Sequence, residues 1–262
     1  VYEEEFANAV GFKWSPDGKY LAFMRFDESE VKEITMTHYH NGAYPEYETF
    51  KYPKVGEDNA KVSVHIHDLA SGKTVKADTQ VDSEHYIPRI RWTGQQDQLC
   101  VIRMNRHQSK VELLLAEAST GKTKTLFEET NKYYIEESVL DYLHFLNDKK
   151  HFVWTSEMDG YHHIYLYDMN GKMVKQLTEG KWDMTDFHGV DEKNGKVFYQ
   201  AAKDSPMRRH EYVVDLDGKN DEQLTHEEGW NKAQYSSTFD YYVLTHSTIN
   251  SPGTYVVYDR AG

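Results

Sequence analysis

At 262 residues the chain could hold two ordinary domains or one large all-β domain. A formal charge of −13, from 43 acidic and 30 basic side chains, argues against nucleic acid and anionic membranes, because phosphate neutralisation needs a basic face. No apolar run approaches the roughly 18 residues of a membrane helix, and 39% hydrophobic content with 20 tyrosines favours a core built from strands.

The chain opens on Tyr2-Glu3-Glu4-Glu5. Three adjacent carboxylates repel one another and cost folding energy unless a cation pairs with them, so the string points to a cationic partner. With no initiating Met and an acidic run at its start, the sequence reads as a piece of a longer protein. Next comes Trp14-Ser15-Pro16-Asp17-Gly18, a strand end followed by a tight turn that returns the next strand. Between Asp27 and Ala60 lies a stretch rich in Tyr and Pro, including Tyr44-Pro45-Glu46-Tyr47 and Tyr52-Pro53-Lys54. It reads as an arm, about 33–59, inserted into the first structural unit.

From there a turn of the form small or polar residue, Gly, Lys recurs at Gly72, Gly121, Gly171 and Gly218, a period of about 50 residues. Each turn follows a β-rich run, such as Val64–Leu69 or Ile164–Asp168, and precedes a shorter strand, such as Val174–Thr178. Glycine at the left-handed position of a hairpin turn explains why the residue type repeats. Upstream in the unit sits another hairpin, joining Ile90–Trp92 to Gln98–Val101, with a counterpart joining Tyr142–Phe145 to His151–Trp154. Four strands per unit is the signature of a propeller blade, and no unit carries a helical apolar period. The fold expected is all-β: a β-propeller fragment of about five four-stranded blades spanning 1–262, with the arm in the first blade. Open sheet edges on such a fragment invite association.

The string Val1–Phe6, then Phe12–Ala22, Phe26–Val31 and Tyr52–Gly56, resembles the propeller of the dipeptidyl peptidase IV family of prolyl oligopeptidase-type serine peptidases. The match continues at Glu157–Ile164 and Leu177–Trp182, covering nearly the whole chain in order. The resemblance implies a propeller capping a C-terminal α/β-hydrolase domain, in an enzyme that releases X-Pro or X-Ala dipeptides from free peptide N-termini. It further implies that the acidic string lies on a short helical insertion facing the active site, with Glu4 and Glu5 holding the substrate's α-ammonium. An ammonium offers three donors, and two carboxylates on fixed geometry accept two of them as charge-assisted bonds. The arm is implied to pair two subunits into a homodimer, with Tyr39, Tyr44, Tyr47 and Tyr52 as rigid amphipathic anchors. No cofactor or metal is implied, and the family's bacterial members place the protein in the cell envelope or periplasm, or secreted.

The hydrolase chemistry itself is absent. No serine stands in a Gly-x-Ser-x-Gly elbow, and no βαβ alternation could hold one. The catalytic domain is expected beyond Gly262, which would leave this piece inert alone. Cys100 sits in Gln98–Ile102 and reads as a packed thiol. His38-x-His40 and His65-x-His67 each place two imidazoles on one strand face, too few ligands for a metal site. The rings of His162 and His163 point apart on a strand, and the five tryptophans read as core. The resemblance brings Tyr133-Tyr134-Ile135 near the substrate cavity, on a match too loose to make them site residues. A protein-binding propeller scaffold, or the propeller of an acylaminoacyl or prolyl peptidase, remains the alternative; neither needs the acidic string before Trp14.

Overall fold

The computed structural model describes residues 2, 5–40, 42–82 and 84–260. They fall into two compact units, Val1–Glu137 and Ser138–Gly262.

In the first unit, β1 (Phe12–Trp14) and β2 (Tyr20–Asp27) flank the Pro16-Asp17-Gly18 turn. Ser15 Oγ receives the Tyr20 amide at 2.9 Å and donates to Asp17 Oδ1 at 2.8 Å, while Gly18 takes φ 71°. The hairpin β3 (Glu33–His38) and β4 (Glu46–Lys51) follows, then β5 (Lys61–Asp68) and β6 (Thr74–Lys76). The sheet order β1-β2-β5-β6 bypasses β3-β4, which pair only with each other. The arm is therefore real, and it leaves Tyr39, Tyr44 and Tyr47 at 70–88% exposure. The second blade runs β7 (His85–Trp92), β8 (Gln98–Asn105), β9 (Lys110–Glu117) and β10 (Thr123–Thr130), with each strand paired to the next. Its central strands are buried through Leu99–Ile102 and Val111–Ala116, Cys100 included. Burial pushes the Cys100 thiol far above its ordinary value, as fits an inert packed group.

A short 3-10 helix, Glu137–Asp141, begins at the last residue of the first unit; the second unit continues with β11 (His144–Phe145), β12 (His151–Ser156), β13 (His163–Asp168) and β14 (Met173–Gln176). The next blade is β15 (Met184–Asp191), β16 (Lys196–Ala201), β17 (His210–Asp215) and β18 (Glu222–Gln223). The last sheet, β19 (Trp230–Tyr235), β20 (Tyr241–Thr248) and β21 (Ser251–Asp259), has three strands among the described residues, so four of the five blades carry the expected four. The core of this unit lies between blades, where Val153, Ile164 and Leu166 meet Val190, Val197, Tyr199 and Val214. Each such side chain contributes about 1.5–3 kcal/mol when fully buried.

The four recurrent glycines all stand in the left-handed region, at φ 69–77°. They are not equivalent in space. A Cβ on Gly72 would meet nothing within 4 Å, whereas one on Gly121 would lie 2.2 Å from the Lys76 carbonyl. There the Asp78 amide donates to Gly121 O at 2.8 Å, so this turn also joins the first two blades.

The tryptophans correct one expectation. Trp154 is fully buried, but Trp14 and Trp230 are about half exposed, because both stand in edge strands of their sheets. The exposed Trp230 ring is covered on one side by the Arg209 guanidinium, 4.8 Å from its centroid.

Candidate substrate-anchoring site

The acidic string starts on an aromatic anchor. Tyr2 is 8% exposed, with its ring 5.1 Å from Phe26, 5.8 Å from Phe6 and 6.1 Å from Tyr86. Phe6 is wholly buried and stands edge-on to Tyr86 at 5.3 Å. The Tyr2 hydroxyl accepts the Ile87 amide at 3.1 Å, and burial pushes its phenol well above the ordinary value. Behind the anchor, the Asn8 amide donates to Tyr2 O at 2.7 Å, and Ala7 adopts φ 47° to turn the chain. Tyr2 and Phe6 thus enter the core on either side of the acidic string. Glu5 is exposed between them.

Of the expected pair, the structure describes Glu5; Glu4 lies outside the described residues, as does Glu3. Tyr2 and Glu5 are in turn conformation. Two phenols feel the Glu5 charge. Tyr86 is raised by burial, with further pushes from Glu5 and Glu84, and its hydroxyl accepts Asn59 Nδ2 at 3.2 Å. Tyr134 is raised by burial and by its hydrogen bond to Glu137, with Glu136 and Glu5 adding to the shift. Asn59 is 6% exposed at the base of the arm, so the arm is fastened to the ring that supports the acidic turn. Tyr86 and Asn59 carry no motif; only their three-dimensional neighbours reveal them.

The histidine pairs serve other ends. His38 and His40 stack at 5.5 Å on the arm, facing Glu48 at 3.0 Å and Glu46 at 4.0 Å respectively. His65 bonds Ser63 and stacks on Phe23, while His67 bonds Thr74. His163 is buried between Thr178 Oγ1 and Gly180 O. Its neighbour His162 points elsewhere, with Nε2 buried and unpartnered. Among the described residues no three such side chains converge on a point that could hold a metal ion.

A second polar cluster had no signal in the sequence. In the second unit His188 Nε2 lies 2.6 Å from Glu211 Oε2, and Glu211 Oε1 accepts the Ala233 amide at 2.8 Å. Glu211 is fully buried, and its carboxylate joins β17 to β15 and β19. His188 lines a cleft of about 750 Å³ together with His144, Asp186, Glu192, Lys232 and Tyr235.

Antiparallel blades whose strands turn on left-handed glycines, with a strand-paired arm in the first, make this chain a segment of a β-propeller. Residues 1–253 match the family model described as the dipeptidyl peptidase IV (DPP IV) N-terminal region, and the chain belongs to that family. A dipeptidyl peptidase 4 of Trichophyton rubrum is 29% identical over 265 residues, covering 96% of this chain and 34% of its own length. A probable dipeptidyl peptidase 4 of Aspergillus fumigatus is 28% identical over 268 residues, with 96% and 35% covered. The crystal structure of Porphyromonas gingivalis dipeptidyl peptidase 4 superposes with a TM-score of 0.93 at 38% identity, covering all of this chain and 37% of that one. A putative dipeptidyl aminopeptidase IV from Bacteroides ovatus gives 0.85 at 27% identity, covering 100% and 40%. The chain spans about a third of the length of the curated relatives it matches.

Proposed function

We propose that this chain is the substrate-gating, N-terminus-anchoring propeller portion of a serine exopeptidase that releases X-Pro or X-Ala dipeptides. The observation that carries the reading is the Tyr2–Phe6 turn. Both rings are locked into the first two blades, and Glu5 is held out from them at a fixed place. An acidic pair at Glu4 and Glu5 binds the free α-ammonium through two charge-assisted bonds, each worth about 1.5–3 kcal/mol. A blocked amine loses them, and a longer N-terminus carries the scissile bond past the nucleophile. The pair acts as a ruler that places the second peptide bond.

The anchor is rigid because its support is apolar and Tyr2 is tied twice, its hydroxyl to the Ile87 amide and its carbonyl to the Asn8 amide. A fixed backbone beneath Glu5 limits the freedom lost on binding, and this preorganisation concentrates the binding energy on positioning. The nucleophile, its base and the orienting acid belong to an α/β-hydrolase domain in the part of the full-length protein that this chain does not span. This chain alone is inert. The exposed tyrosines of the arm pair two subunits, and the protein works in the cell envelope, in the periplasm or outside the cell.

The test is kcat/KM of the full-length enzyme on a Gly-Pro chromogenic substrate with a free and an acetylated amine. The reading predicts at least about a hundredfold preference for the free amine, the sum of two charge-assisted bonds. Equal turnover of the two forms would leave the domain a filter or a scaffold.

A further inference from the structure

Beside the acidic turn lies a segment that the anchor does not use. The Asn131 amide donates to Ser109 O at 2.9 Å and the Ile135 amide to Gln108 O at 2.8 Å, which lays residues 131–137 along the β8–β9 turn. Strand β8 enters that turn next to the start of β7, through the pairs Met104↔Tyr86 and Asn105↔His85. Tyr86 is the ring on which Phe6 packs. Glu5 and the 131–137 segment therefore share one end of the second blade.

The segment presents Tyr133 at 77% exposure, Tyr134 at 42%, an exposed Glu136 and a half-buried Glu137 that accepts the Tyr134 hydroxyl. The Lys132 ammonium lies 4.9 Å from the Tyr133 ring centroid, so that face already accepts a cation of this chain. Other basic groups at this end are already engaged, Arg106 by Glu57 O at 2.5 Å and Glu84 at 4.0 Å, and Lys110 by Glu112 at 3.2 Å and Glu128 at 3.0 Å. Two carboxylates and two aromatic rings stand beside Glu5, and among the described residues no ion pair engages Glu136. Burial first, then the hydrogen bond to Glu137 and the charges of Glu137, Glu136 and Glu5, hold the Tyr134 phenol above its ordinary value.

The α-ammonium and the first side chain of a peptide leave the same carbon. With the ammonium on Glu5, that side chain emerges next to this segment. We infer that the site selects peptides whose first residue is lysine or arginine, its cation taken by Glu136 and Glu137 against the Tyr133 and Tyr134 rings. The long apolar stem of such a residue covers the rings while its head reaches the carboxylates. This inference rests on the amine-anchor reading above.

The experiment compares Lys-Pro, norleucine-Pro and Glu-Pro chromogenic substrates, with free and acetylated amines, on the full-length enzyme and on its Glu136→Gln/Glu137→Gln variant. Two partly exposed ion pairs predict about a three- to tenfold higher kcat/KM for Lys than for norleucine, carried by KM, with Glu the poorest. The preference should shrink at high salt and vanish in the double variant. Circular dichroism of the variant confirms its fold, and a merely structural role for the two glutamates would lower all three substrates alike. With the free amine still preferred, equal turnover of Lys and norleucine, or a Lys preference that survives in the variant, overturns this inference alone. Equal turnover of free and acetylated forms overturns the anchor and this inference with it.

Discussion

Replacing Phe6 by alanine tests whether the acidic turn is held by the core or merely lies on it. Phe6 has no exposed surface and meets Tyr2 at 5.8 Å and Tyr86 at 5.3 Å. Truncation removes a whole buried ring and leaves a cavity whose walls, Tyr2 and Tyr86, are themselves fixed by hydrogen bonds at their hydroxyls. Poor collapse puts the cost in the upper part of the usual range, about 4 kcal/mol. That energy is lost from the local seat of the turn, so the Ile87 amide, held by Tyr2, should exchange about a thousandfold faster at 1.36 kcal/mol per decade. The assay is hydrogen exchange by mass spectrometry on the peptide around Ile87, with Phe6→Leu as the partial-filling control. Leucine should recover about half of the loss. Exchange within threefold of wild type in Phe6→Ala would refute the claim that packing fixes the turn.

Two further outcomes follow from the same structure. Gly121→Ala should cost at least about 3 kcal/mol, because the strained φ adds to a contact with Lys76 O, whereas Gly72→Ala should cost only about 1–2 kcal/mol for the φ alone; paired urea midpoints check the ranking. Burial lowers the His162 pKa to about 4, from an ordinary 6.5, and Asp183 only partly opposes this. The unfolded chain therefore takes up a proton that the folded chain refuses. This contribution is complete above pH 6.5 and is lost as the pH falls towards 4, about 3 kcal/mol in all. Urea midpoints at pH 7 and pH 4.5 should converge in His162→Phe, relative to wild type.

What sequence made legible was the repeat and not the packing. The glycines at 72, 121, 171 and 218 had to be turns because the left-handed conformation excludes most other residues, and all four are. The arm stood out because its Tyr and Pro content fits no blade strand, and β3-β4 indeed pairs only with itself. Tryptophan was misleading. Hydrophobicity alone put all five in the core, but an edge strand covers one face poorly, and Trp14 and Trp230 pay no penalty that a chain pattern would reveal. The His188–Glu211 pair was silent for a different reason. Its partners come from β15 and β17 and its third bond from β19, so no local spacing encodes it. At the acidic turn the carboxylates were conspicuous in sequence, while Tyr86 and Asn59, which brace them, became visible only once the strands were placed.

The central claim is that the acidic pair reads the substrate's free amine. The most direct measurement is the ratio of kcat/KM for free against acetylated X-Pro substrate in the full-length enzyme, for wild type, Glu4→Gln and Glu5→Gln. Each substitution turns a charged acceptor into a neutral one, so either should reduce the ratio by about 10- to 100-fold, through loss of the free-amine substrate only. A ratio unchanged in both variants would contradict the account.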